Sequence, residues 1–217
     1  MKVVSIGAHP DDIEMGTGGT LAMHKRRGDD TYGILCTLGG VRGDPIERHD
    51  EAKRGASVLG MRLHIIDYPV AKLNKLDPEF VKVIRKVIED INPDRVYTHS
   101  IFDYHQIHVS VANATFVAAK SVNQVLSYED ISSTTTEFRP DAFVDITEFM
   151  NLKIMAIEQH RSQLSDRLYI QPAVMRSLAN VRYVWSKVGS NPNGLAEAFM
   201  VKRFCWDPAA SEQGPSF

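Results

Sequence analysis

Two short stretches of this 217-residue chain carry residue types that bind metal ions and move protons. The first is Gly7-Ala8-His9-Pro10-Asp11-Asp12-Ile13-Glu14, directly after the apolar run Val3-Val4-Ser5-Ile6. The second is Asp103-Tyr104-His105-Gln106-Ile107-His108, whose histidines lie three apart and, at a helix start, project from one face. His9, Asp12 and His108 form a two-imidazole, one-carboxylate set of the kind that holds catalytic zinc and leaves one position open. A divalent ion there polarises a carbonyl and acidifies water. Asp11 is the expected acceptor of the water proton. His105, as an imidazolium, is expected to stabilise an oxyanion and to protonate a leaving amine. These parts suffice for metal-dependent hydrolysis of an amide. Read alone, His-Pro-Asp-Asp is also a plain turn with an aspartate helix cap; the pairing of the two stretches favours the metal.

For those residues to meet, the chain must bring the ends of its first and fourth strands together. Residues 2–7 read as a buried strand, 18–28 as a helix and 31–37 as a second strand running into a glycine-rich loop. A helix follows over 45–59, ended by Gly60, then a strand at 63–66, a helix from Pro78 to Asp90, and a fourth strand at 95–99. This alternation predicts a doubly wound α/β fold: a mostly parallel sheet with helices on both faces. In such sheets ligands bind outside the carboxyl ends of the strands. Further on, the patterns give a helix at 109–121, strands at 125–128 and 142–146, helices at 148–163 and 172–188, and a strand at 197–206. No repeat or long linker divides the chain, so residues 1–217 read as one domain. The polar tail 208–217 is expected to be ordered, docked on its own fold or on a neighbouring subunit.

Composition narrows the function classes. Hydrophobic residues make up 43% and charged residues 24%, with a net charge of −2 and a pI near 6.4, which gives no basic footprint for nucleic acid. No run of about 18 apolar residues is present, so no membrane insertion is expected, and nothing at the N-terminus reads as a signal peptide. A cytoplasmic location is the expectation. Both cysteines, Cys36 and Cys205, sit in apolar, strand-like surroundings and read as buried thiols.

The stretch Ala8-His9-Pro10-Asp11-Asp12, the Gly18-Gly19-Thr20 after it and the later His105-x-x-His108 resemble the LmbE-like (PIG-L) deacetylase family. The likeness continues through Arg48-x-x-Glu51-Ala52, Phe143-Val144-Asp145-Ile146-Thr147 and His160-Arg161-Ser162-Gln163. The resemblance implies a Rossmann-like fold and a zinc enzyme, in which iron or cobalt also suits the ligands. It further implies removal of an acetyl group from an N-acetylglucosamine-type small molecule or its conjugate, and a homo-oligomer. By the same resemblance His9, Asp12 and His108 are the zinc ligands, Asp11 the general base, His105 the acid or oxyanion partner and Arg48 a sugar contact. Two departures stand out. Ile107 replaces an aspartate that often precedes the last histidine, and Asp103 is the candidate substitute beside the site. The glutamate that often follows the two aspartates is displaced by one position, to Glu14. A metal-dependent hydrolase of another small amide, or a sugar- or nucleotide-binding protein without turnover, are the competing readings.

Other candidate residues have plainer readings. Gly16-Thr17-Gly18-Gly19-Thr20 lacks dinucleotide spacing and a P-loop lysine, so close packing of the first helix on the sheet is the expected reason for its glycines. Arg48 and Glu51 alone would suit a surface ion pair. His24, His49 and His64 read as solvent-facing, His160 as a helix-face residue, and His99 as either a wall of the site or a buried residue. Asp145 reads as a cap after its strand. Met175, Leu178, Tyr183 and Trp185 read as core or subunit contact.

Overall fold

The structure is a computed structural model that describes residues 1–39, 44–73, 76–164, 167–187 and 189–205. The expected ordered tail at 208–217 lies outside these residues. A single seven-stranded sheet runs β3-β2-β1-β4-β5-β7-β6. Its strands are β1 (Lys2–Gly7), β2 (Asp30–Leu35), β3 (Arg62–Ile65), β4 (Arg95–Thr98), β5 (Gln124–Tyr128), β6 (Ala142–Asp145) and β7 (Ala196–Phe204). The first five are mutually parallel, and β7 lies antiparallel between β5 and β6. β1 and β4 are neighbours, with Val3 opposite Arg95 and Ser5 opposite Tyr97. The strand that leads into His9 therefore lies beside the one that leads towards His105 and His108.

Period-two alternation along β1 separates the two faces. Val4 and Ile6 join a core with Phe80, Ile84 and Ile88 of α3 (Pro78–Ile91) and Val111 and Ala114 of α4 (Gln106–Ala118). Val3 turns to the other face, against Leu21 of α1 (Asp12–Arg26), Leu59 of α2 (Pro45–Leu59) and Ala156 of α5 (Met150–Ile157). The short α6 (Arg161–Leu164) and then α7 (Pro172–Ser186) complete the helices among the described residues. None of these is long and apolar enough to cross a membrane.

Helix α1 begins at Asp12, six residues before the expected start. It is buried on nearly all sides, so no amphipathic stripe marks it in the sequence. The glycines do serve close packing: a Cβ on Gly16 would stand 2.2 Å from the Tyr128 ring, and one on Gly19 2.7 Å from Ile146. Glu197 of β7 accepts from the amides of Gly19 and Thr20 and pairs with the buried Lys153 ammonium at 2.6 Å.

Several expectations are corrected. The expected 148–163 helix breaks after Ile157, because His160 turns inward to Glu14 (3.3 Å) and Ser162 donates through its amide and hydroxyl to Glu51. His160 is consequently fully buried instead of lying on a helix surface. His24 is buried too, between Asp29 (2.6 Å) and the Tyr97 hydroxyl (3.3 Å). Cys36 is buried, but Cys205 is exposed, since it follows the last residue of β7, past the packed helices. Asp145 does cap locally, accepting from the amide and hydroxyl of Thr147.

Candidate metal centre and active site

Pro10 ends the β1 extension, and Asp11 takes a left-handed backbone, φ 101°, ahead of α1. That conformation is costly for a residue with a side chain and is typical of functional turns. Asp11 makes no side-chain cap on α1, which removes the plain-turn reading. Asp12 instead folds back, its Oδ2 accepting from the His9 amide at 2.7 Å.

The same oxygen faces two imidazoles. Asp12 Oδ2 lies 3.4 Å from His9 Nδ1 and 3.7 Å from His108 Nε2, and those two nitrogens are 3.3 Å apart. Ligands of a tetrahedral ion with bonds near 2.0–2.1 Å are about 3.3 Å from one another. The triangle therefore has the dimensions that a zinc-sized ion requires, so these residues fit the group the family implies.

His108 is oriented from behind. Asp103 Oδ2 lies 3.1 Å from its Nδ1, which directs the Nε2 lone pair to the triangle. The other oxygen of Asp103 accepts from the His105 amide at 2.7 Å. Asp103 thus steers the imidazole of His108, and touches His105 only through its backbone. Asp130, at the end of β5, places Oδ2 3.7 Å from the same Nδ1, while Oδ1 accepts from Ser132.

Three imidazole rings stack along this wall. His99, from the end of β4, lies 4.0 Å from His108, and His105 lies 4.2 Å from its other face. His99 is fully buried, its Nε2 3.0 Å from both Asp12 Oδ2 and the Ala8 amide. It belongs to the wall of the site, the first of its two expected places.

The electrostatics divide the carboxylates. Burial disfavours the charged Asp12, yet His108 and His99 hold it well below the usual carboxylate range. Asp11 goes the other way, raised to about 7 by desolvation and by the Asp12 charge, with His160, Arg48 and Arg167 opposing. Against its own desolvation, His108 is raised to about 9 by Asp12, Asp103 and Asp130. His105 is lowered to about 4, first by desolvation and then by His108 and His9. The imidazolium expected at His105 is therefore not its form at neutral pH. Its Nδ1 accepts from the Ile107 amide at 3.3 Å, which leaves Nε2 as the N–H donor.

These groups line a cavity of about 530 Å³ together with Arg48, Arg167 and Tyr169. Arg48 is buried, donates to the Pro10 carbonyl at 3.0 Å and stands 3.9 Å from Asp11 Oδ1. It makes no surface pair with Glu51, whose carboxylate is taken by Ser162. Arg167 approaches Asp11 Oδ2 at 3.6 Å from the opposite side. Asp130, Arg167 and Tyr169 belong to neither motif stretch, and the sequence reading misses them. Asp130 carries one usable signal, its position at the end of a strand of a parallel sheet.

The family profile described as "PIG-L: GlcNAc-PI de-N-acetylase" matches residues 4–119, more than half of the chain. The chain belongs to the PIG-L family. It is an enzyme of this metal-dependent N-deacetylase family. It is 33% identical over 168 residues to the uncharacterized deacetylase YaiS of Escherichia coli (strain K12), covering 74% of this chain and 90% of that protein. It is 27% identical over 192 residues to the diacetylchitobiose deacetylase of Thermococcus kodakarensis, covering 77% of this chain and 72% of that one. Among solved structures, the conserved protein TT1542 from Thermus thermophilus superposes with a TM-score of 0.81 at 23% identity, covering 95% and 97% of the two chains. GalB, the 4-carboxy-2-hydroxymuconate hydratase from Pseudomonas putida KT2440, superposes at 0.79 with 18% identity, covering 95% and 98%. The fold alone does not choose the reaction.

Proposed function

We propose that this enzyme hydrolyses the N-acetyl amide of an N-acetylglucosamine-type sugar or its conjugate, with Zn²⁺ held by His9, Asp12 and His108. The observation that carries the reading is the ligand triangle of zinc dimensions with the buried, raised Asp11 next to it in sequence. When bound, the metal polarises the acetyl carbonyl and acidifies the attacking water.

The chain's own residues do the rest. Asp11 takes the proton of that water. Its position near 7 matches a group that accepts a proton and returns it at neutral pH. His105 donates from Nε2–H to the oxyanion as charge builds on the carbonyl oxygen. Arg48 holds the Pro10 carbonyl and thereby the motif turn, and its guanidinium edge in the cavity binds the sugar. Collapse breaks the C–N bond, Asp11 passes its proton to the departing nitrogen, and amine plus acetate leave. Asp103 keeps the His108 ring in register throughout.

The test is acetate release from a panel of N-acetylglucosaminides by metal-loaded and chelator-stripped protein in parallel. Metal-dependent release is expected. Absence of release from every sugar, with one zinc bound per chain, would overturn the deacetylase reading in favour of another amide.

A further inference from the structure

The cavity is not polar throughout. Opposite the imidazoles its lining includes Val70, Ile107 and Tyr169. Ile107, where this chain departs from the family motif, is half-buried there and also packs against the α3/α4 core. A carboxylate in that position would give the wall a charge; the isoleucine makes it greasy.

The apolar character continues outside the cavity. Among the described residues, the three most exposed large hydrophobic side chains are Tyr104 (77%), Leu168 (77%) and Ile46 (73%). Each adjoins a cavity residue in sequence. Tyr104 precedes His105, Leu168 stands between Arg167 and Tyr169, and Ile46 is two residues before Arg48. Single exposed hydrophobics need no explanation, but three from separate elements converging on one cavity do. Two of their backbones are tied: the Tyr104 amide donates to the Ser133 carbonyl, and the Ile46 amide to Asp44. A cavity of about 530 Å³ suits a drug-sized ligand, more than one acetamido sugar fills.

The geometry points to a second subsite, for an apolar alkyl or aryl aglycone, formed by Ile107, Val70 and Tyr169 within and by Tyr104, Leu168 and Ile46 at the mouth. This rests on the deacetylase reading and narrows it: the substrate is an N-acetylated amino sugar joined to a hydrophobic group. The sugar lies over the polar floor with its acetamide at the ligand triangle, and the aglycone leaves along the apolar wall.

The experiment compares methyl and hexyl N-acetylglucosaminides with the wild-type protein and a Tyr104→Ser/Leu168→Ser/Ile46→Ser variant. It measures kcat/KM with zinc and, by calorimetry, the affinity of the metal-free proteins for each glycoside. The wild-type protein is expected to favour the hexyl glycoside by about tenfold or more, as burial of several methylenes predicts. In the variant the hexyl-to-methyl ratio should fall towards one, with melting temperature and zinc content as checks on the fold. A wild-type ratio near one in both measurements overturns the subsite. Hexyl preference in binding without turnover supports the subsite while the deacetylase reading fails. A variant that loses oligomeric state yet keeps the hexyl preference makes the rim a subunit contact and overturns the proposal.

Discussion

Asp11 and Asp12 are adjacent in the chain, equally buried, and face opposite walls of one cavity. On Asp12's side, imidazoles pack at 3.0–3.7 Å and hold the carboxylate ionised. On Asp11's side, the nearest cations are guanidiniums at 3.6 and 3.9 Å, too distant to offset the loss of water and the charge next door. A carboxylate for holding a cation and one for carrying a proton need opposite affinities for the proton. One left-handed residue achieves the separation, because φ 101° at Asp11 turns consecutive side chains apart.

The largest break in this contrast is His108→Ala. It removes one corner of the triangle, and we expect metal content to fall from about one ion per chain to near zero, read by atomic absorption, with activity lost alongside. Asp11→Asn attacks the other wall. Zinc should remain at full stoichiometry while turnover falls about 10²–10⁴-fold, the usual scale of a positioned acid–base group. Retention of near-wild-type turnover would remove Asp11 as the base. Asp103→Asn should weaken zinc binding about 10–100-fold with the fold intact, since it loosens a ligand from behind. A zinc affinity unchanged in that variant would show that the imidazole is oriented by something else.

The mildest test is the pH dependence of metal-free stability. Asp11 and His108 both have folded values raised above their unfolded ones, to about 7 and about 9. The folded protein therefore binds their protons more tightly than the unfolded chain does. The stabilisation from His108 is complete below about pH 6.5 and is lost as pH climbs through about 9, and that from Asp11 fades between about pH 4 and 7. Melting temperature without metal should accordingly fall from pH 5 to pH 9, and Asp11→Asn should flatten the lower part of that decline. The effect of Asp11 is on the order of 2–4 kcal/mol. A flat profile in the wild-type protein would contradict the assigned burial of both groups.

How much of the molecule is legible in the sequence follows from what makes each element local. Helix α2 is legible to the residue because its ends are marked: the Asp44 side chain accepts from the Ile46 amide, and Gly60 sits at φ 66°. Helix α3 shows its face through Phe80, Ile84, Ile88 and Ile91, spaced at three and four. Helix α1 carries no such mark, since core surrounds it and its glycines mimic a loop. The same distinction governs the site. His9, Asp11, Asp12, His105 and His108 lie on two contiguous stretches, where spacing is visible. Arg167 and Tyr169 reach the cavity because Ser162 is tied to Glu51 and His160 to Glu14, contacts between distant segments that no local pattern announces. The burial of His24 escapes the sequence for a similar reason: its partners, Asp29 and Tyr97, include one from a strand 73 residues away.

Strand β7 has a consequence for how the protein is born. β6 joins the sheet only through β7, which is made much later in the chain. During synthesis the 142–145 segment must therefore emerge and wait, its edge uncovered, until residues 196–204 leave the ribosome and slot between it and β5. Glu197 arrives on that strand as well, and only then do the Gly19 and Thr20 amides and the Lys153 ammonium behind the metal-binding turn gain their partner. A nascent chain halted before β7 would carry every proposed ligand and still lack the brace that holds α1 in place.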